Sequence, residues 1–157
     1  MATSLSPEEM RALVVRHAER ESLHDWEGAF ATMVSDGPFY ELFPYRLRVS
    51  GPDAILAMWL RLMGDGDAPG CFADATVAPE TYHLTEYVNE DSIVHSTKWE
   101  FVTDAGERQP VDHVVIFRFE GDRMLSETVF CDTSVMRYMD RLALDAGFRS
   151  HPGVEQI

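Results

Sequence analysis

Few residues in this chain have types and placement suited to chemistry, and Glu41 is the first of them. It lies in Phe39-Tyr40-Glu41-Leu42-Phe43, where strand alternation puts it on the same face as Phe39 and Phe43. A carboxylate in an apolar row is expensive to bury. It is therefore paired with an arginine such as Arg46 or Arg48, neutralised by a raised pKa, or present because a reaction needs a base in a dry place. Such a base suits removal of a proton next to a carbonyl, because apolar walls push a carboxylate towards neutrality.

The histidines are the next candidates. His17 continues the apolar stripe Met10, Leu13, Val14 of a first helix, either as a core histidine bonded to the backbone or as a group that polarises a substrate oxygen or steadies Glu41. His113 is the one polar member of the row Val111, His113, Val115, Phe117, Phe119, with Asp112 on the opposite face. His83 shares a face with Thr81, Thr85 and Tyr87, and His95 stands in the row Ile93, His95, Thr97, Trp99, Phe101. No pair has His-x-x-x-His spacing, and no metal is expected. Phe30, Phe39, Trp59, Trp99 and Val115 are the apolar candidates for contact with a ligand, although residues at such spacing also build ordinary core.

The elements that must position these groups follow from capping and periodicity. Ser6-Pro7-Glu8-Glu9 opens a helix with a capping box, and Asp25 caps a second helix with Ala29, Phe30, Met33 and Val34 inward. Ser35-Asp36-Gly37-Pro38 stops that helix, a strand follows at about 39–43, and a loop carries Pro44, Tyr45 and Arg46. Ser50-Gly51-Pro52-Asp53 opens a third helix to about Met63, ended by Gly64-Asp65-Gly66-Asp67. From residue 73 the period becomes two, with strands near 73–78, 81–88, 92–102, 110–120 and 123–131 joined by short turns. Asp132 caps a last helix ending before Gly147, and the tail beyond it is expected to be mobile. Helices first and hairpin-linked strands after predict an α+β domain with a sheet curled over its helices.

Length and composition narrow the function. The 157 residues, 45% hydrophobic and 25% charged, suit one domain over 1–157 with its own core. A net charge of −14 argues against nucleic acid and anionic membrane surfaces as partners. Cys71 and Cys131 form no disulfide framework and no zinc spacing, which fits a reducing cytoplasm. No signal peptide is visible at the start, and the apolar window Ala54 to Met63 is interrupted by Arg61 and too short to span a bilayer.

Three stretches resemble the nuclear-transport-factor-2-like superfamily, which includes SnoaL-like polyketide cyclases, ketosteroid isomerases and scytalone dehydratase. They are His24-Asp25-Trp26-Glu27-Gly28-Ala29-Phe30 with the following Ser35 to Glu41, then Ser50-Gly51-Pro52-Asp53-Ala54-Ile55, and Phe117-Arg118-Phe119-Glu120-Gly121-Asp122-Arg123-Met124-Leu125-Ser126-Glu127. The resemblance implies a cone in which a curved antiparallel sheet wraps three helices around an apolar pocket, and dimerisation through the outer sheet face. It places Glu41 where ketosteroid isomerases carry their general base and His17 where they carry an oxyanion-stabilising tyrosine. Thr81-Tyr82-His83-Leu84 is similar to a dehydratase strand whose histidine faces the pocket. The sequence departs from the pattern at Val115 and Val129, where an isomerase and a cyclase acid would stand, and Glu21-Ser22 does not match the dehydratase's tyrosine–aspartate pair. The expectation is a cofactor-free isomerase, cyclase or dehydratase acting on an apolar, carbonyl-bearing small molecule, polyketide- or steroid-like, with Glu41 as base and His17, His83 and His113 as hydrogen-bonding partners. The alternative is a ligand-binding or dimerising module on the same scaffold.

Overall fold

The computed structural model describes residues 3–65, 69–73 and 75–157. Helix α1 (Pro7–Ser22) begins at the expected capping box: Ser6 Oγ accepts from Glu9 N–H at 3.3 Å, and the Glu9 carboxylate accepts from Ser6 N–H at 2.8 Å. Its buried stripe is Met10, Leu13, Val14 and His17. Helix α2 (Trp26–Phe30) is capped by Asp25 as expected but is shorter than its apolar spacing suggests. Thr32 O and Val34 N–H bond to Met124, so the chain leaves the helix to join the sheet.

Strand β1 (Phe39–Leu42) turns through a 3-10 segment, Phe43–Tyr45, and Arg46 at φ +53° into strand β2 (Leu47–Ser50). The sequence reading places a loop here. The four residues of β2 do alternate, Leu47 and Val49 inward, but the run is too short to stand out. Gly51, at φ +83°, allows the turn into helix α3 (Pro52–Met63), whose buried face carries Ala54, Ile55, Met58 and Trp59. The helix ends where expected, although Gly66 and Asp67 of the stop signal lie outside the described residues.

The meander is as the periodicity indicates: β3 (Ala75–Val77), β4 (His83–Val88), β5 (Ser92–Thr103), β6 (Arg108–Glu120) and β7 (Arg123–Cys131). Residue 74 of the strand expected near 73–78 lies outside the described residues. Helix α4 (Thr133–Ala143) is capped by Asp132, which accepts from Val135 N–H at 3.3 Å, and α5 (Ala146–Arg149) follows. The tail is not loose. Strand β8 (Val154–Gln156) pairs with β2, and Gly153 lets it dock, because a Cβ there would fall 2.3 Å from Ser50 O. The sheet runs β3-β5-β6-β7-β1-β2-β8 with β4 also beside β5. It is not wholly antiparallel, since β1 runs parallel to β7. This is an α+β fold in which a curved mixed sheet wraps around helices. No described helix is long and apolar enough to cross a membrane.

Candidate active site

Pairing registers decide which residues face inward. Tyr40 stands opposite Glu127 and Leu42 opposite Val129, while Phe117, Val115 and His113 on β6 stand opposite Glu127, Val129 and Cys131. This inner surface, α3 and α4 enclose a cavity of about 630 Å³, with Leu42, Met58, Phe72, Phe101 and Met139 in its apolar walls. Glu21, Tyr40, Trp59, Trp99, His113 and Glu127 are the lining residues that carry polar groups, and of these Glu21, Tyr40 and Glu127 lie together.

Glu41 is not among them. Its alternation with Phe39 is as expected, but this row is the outer one; Tyr40 and Leu42 point inward. On the outer face Glu41 Oε1 accepts from Arg48 Nη2 at 2.6 Å and Nε at 3.2 Å, and Oε2 accepts from Thr128 Oγ1 at 3.1 Å. The Arg48 guanidinium also covers the Phe39 ring at 4.8 Å, which places Phe39 outside as well. The pairing with Arg48, one of the alternatives open in the sequence, accounts for Glu41, and the base expected there is absent from the cavity. Glu41→Gln is expected to lower stability by no more than about 1 kcal/mol, as for a partly exposed ion pair, measured by urea unfolding.

His83 also diverges. It lies opposite Lys98 on the exposed face of the sheet, where alternation sends Leu84 inward and His83 out. Phe30 packs on Trp59 with ring centroids 4.6 Å apart and supports the cavity wall from behind. Val115 lines a second, adjoining groove. Trp59, Trp99 and His113 do line the main cavity.

His17 is buried, 1% exposed, and sits behind the cluster. Its Nδ1 is 2.6 Å from Thr32 Oγ1; its Nε2 is 2.8 Å from the Tyr40 hydroxyl and 3.1 Å from Glu21 Oε1. Tyr40 donates its hydroxyl to that same Glu21 oxygen at 2.9 Å. With Glu21 ionised, Nε2 must carry a hydrogen, since two bare acceptors at 3.1 Å would repel each other. His17 and Tyr40 thus both aim donors at Glu21. Burial, with Glu21 beside it, holds the Tyr40 hydroxyl well above its ordinary pKa, so it remains a donor. The Trp59 indole sits near enough to oppose that rise but makes no proper hydrogen bond, and its buried Nε1 has no partner among the described residues.

Glu127 completes the group. One ligand atom from each of His17, Glu21 and Glu127 lies within 4.8 Å of the others. Burial first, and the charge of Glu21 second, push Glu127 well above the ordinary carboxylate range. Its accessible surface is cavity wall. Burial also lowers His113 to about 4, so it is a neutral imidazole, with one weak contact of 3.4 Å from Nδ1 to Thr97 Oγ1.

Two members of the cluster were within reach of the sequence. Glu21 lies four residues after His17 on the same helical stripe, and Glu127 shares a strand row with Val129. The acid missing at Val129 is thus matched by one two residues earlier, on the same face. The triad His17, Glu21, Glu127 also has donor atoms suited to a divalent metal, but His17 Nε2 is already engaged by Tyr40 and Glu21.

No protein-family model matches the sequence, and no curated protein matches it. The fold has many counterparts among solved structures. An NTF2-like protein from Burkholderia xenovorans superposes with a TM-score of 0.62 at 12% identity, covering 83% of this chain and 95% of that one. A protein assigned as a SnoaL-like polyketide cyclase from Shewanella denitrificans gives 0.57 at 13% identity, over 89% of this chain and 100% of that one. One assigned as a ketosteroid isomerase from Kribbella flavida gives 0.55 at 17% identity, over 80% and 78%. These likenesses are of fold: the chain has the NTF2-like architecture that its sequence resembles.

Proposed function

We propose that this chain is a proton-transferring enzyme of the isomerase, cyclase or dehydratase type, acting on an apolar ligand that carries a carbonyl. The observation that carries the proposal is the convergence of Glu21 and Glu127 at the end of an apolar cavity, where burial holds Glu127 well above the ordinary carboxylate range. A carboxyl held neutral by burial, beside a second carboxyl, supplies the donor that such a site needs next to its base. Glu21 accepts a hydrogen bond from Tyr40 and faces His17 Nε2, which fixes its direction. It is the base that removes a proton from the carbon beside the carbonyl. Glu127, held as the neutral acid, donates a hydrogen bond to the oxygen on which negative charge grows. His113, neutral and also in the cavity lining, offers a polar contact further along the ligand. Returning the proton from Glu21 to a different carbon completes an isomerisation; giving it instead to a departing β-hydroxyl, which leaves as water, completes a dehydration.

The relatives assigned as a cyclase and an isomerase support this class of chemistry by fold alone. The test is exchange of α-protons of a hydrophobic cyclic ketone into D2O, followed by proton NMR. Exchange faster than in buffer, and unchanged within about twofold in Glu41→Gln, is expected. Binding of the ketone without any accelerated exchange would overturn the proposal and leave a carrier.

A further inference from the structure

The cluster does not sit at the blind end of one pocket. A second apolar groove of about 470 Å³ runs between α1 and β4 and shares Glu21, Val77, Trp99, His113 and Glu127 with the main cavity. The carboxyl groups and the imidazole are therefore at a waist between two apolar chambers. No Lys or Arg lines either chamber among the described residues. The outer groove is walled by Val15, Val77, Tyr82 and Leu84, which are 56%, 42%, 49% and 47% exposed. Scattered exposed hydrophobics are ordinary; four around one groove that continues an internal cavity mark a binding surface. The groove has an end. Just beyond Val14 and Leu84, Arg11 bonds to Glu86 at 2.5 Å and Glu86 to His95 at 3.2 Å, a polar row across it.

We propose that the site takes an elongated ligand with its reactive polar group inside its length, one apolar arm in the inner cavity and the other in the α1–β4 groove. This rests on the proton-transfer assignment above only for the identity of the reacting group, not for how the ligand lies. A ligand with its carbonyl at one end would meet Glu21 and Glu127 with a single arm and leave the other apolar chamber wet. A ligand with arms on both sides buries both chambers, and each methylene removed from water contributes about 0.8 kcal/mol. The continuity of the groove with the acid-bearing cavity, through five shared residues, favours a small-molecule arm over a second protein copy as its occupant.

The test compares two isomeric ketones of equal hydrophobicity, 7-tridecanone and 2-tridecanone, titrated against the intrinsic tryptophan fluorescence, to which Trp59 and Trp99 of the cavity wall contribute. The mid-chain ketone should bind about tenfold more tightly. Leu84→Glu puts a charge in the outer groove at an exposed position that folding tolerates, and should reduce that advantage to within about twofold. Equal or tighter binding of 2-tridecanone, an advantage that survives Leu84→Glu, or failure of both ketones to bind would each overturn the inference. Binding is read without turnover, so the titration is repeated in Glu21→Gln. A mid-chain preference kept there, with no proton exchange by the native chain, would remove the enzymatic reading and leave the two-armed site standing.

Discussion

Glu21→Gln is expected to lower α-proton exchange by roughly 10²–10⁴-fold, the range over which a positioned general base acts, while ketone affinity changes little. The amide keeps the size of the side chain and still accepts from the Tyr40 hydroxyl, now 2.9 Å from Glu21 Oε1. It cannot take up a proton. The same substitution removes the charge that helps hold Glu127 neutral, so the acid partner moves back towards its usual range, though burial continues to raise it. Loss of exchange with retained binding is therefore the signature of a base, whereas loss of both would indicate that Glu21 only builds the pocket. His17→Gln should behave differently. His17 touches Glu21 and Tyr40 and lies behind them, and as a positioning residue its removal should lower the rate and shift the pH profile together. Full activity in Glu21→Gln would sink the assignment.

The contrast between Glu41 and Glu21 shows what the sequence made legible. Local chemistry was readable: the capping box at Ser6 and Glu9, the Asp25 and Asp132 caps and the alternation of β5 to β7 all stand as the residues indicate. The rows on β6 were read correctly because thirteen residues of alternation leave no doubt about which face is apolar. On β1, four residues long, both faces are apolar: Phe39 and Phe43 on one, Tyr40 and Leu42 on the other. Only its partners decide. Arg48 on β2 and Thr128 on β7 sit beside Glu41, and these pairings join residues 7 and 87 positions apart. The parallel pairing of β1 with β7 and the docking of β8 on β2 are likewise set by distant contacts that no local period records. Beyond His17 and His113, the site was not legible for a related reason. Its members come from α1, β1, β6 and β7, and the cluster exists only once the sheet has closed over the helix.

The pH dependence of stability should separate Glu127→Gln from the native chain. In the unfolded chain Glu127 ionises near 4.5, whereas burial keeps the folded chain protonated to higher pH. Between those points the folded state holds the extra proton, so raising the pH through this window removes stability, at about 1.4 kcal/mol per pH unit until Glu127 ionises in the folded chain too. His113 works in the other direction. Its pKa falls from 6.5 to about 4, so the folded state holds fewer protons between those values, and stability rises by about 3 kcal/mol as pH climbs through them. In the native chain the two slopes oppose each other above 4.5 for as long as the folded state keeps Glu127 protonated. Glu127→Gln should show the His113 rise unmasked and then a plateau, so that its advantage in urea unfolding widens with pH from about 4.5 upward. Parallel profiles for the two proteins would mean that Glu127 is ionised in the folded state. The same proton should govern the reaction. Exchange by the native chain is expected to fall as Glu127 ionises and stops donating, while Glu127→Gln, with an amide donor in its place, should be slower throughout and lack that alkaline decline.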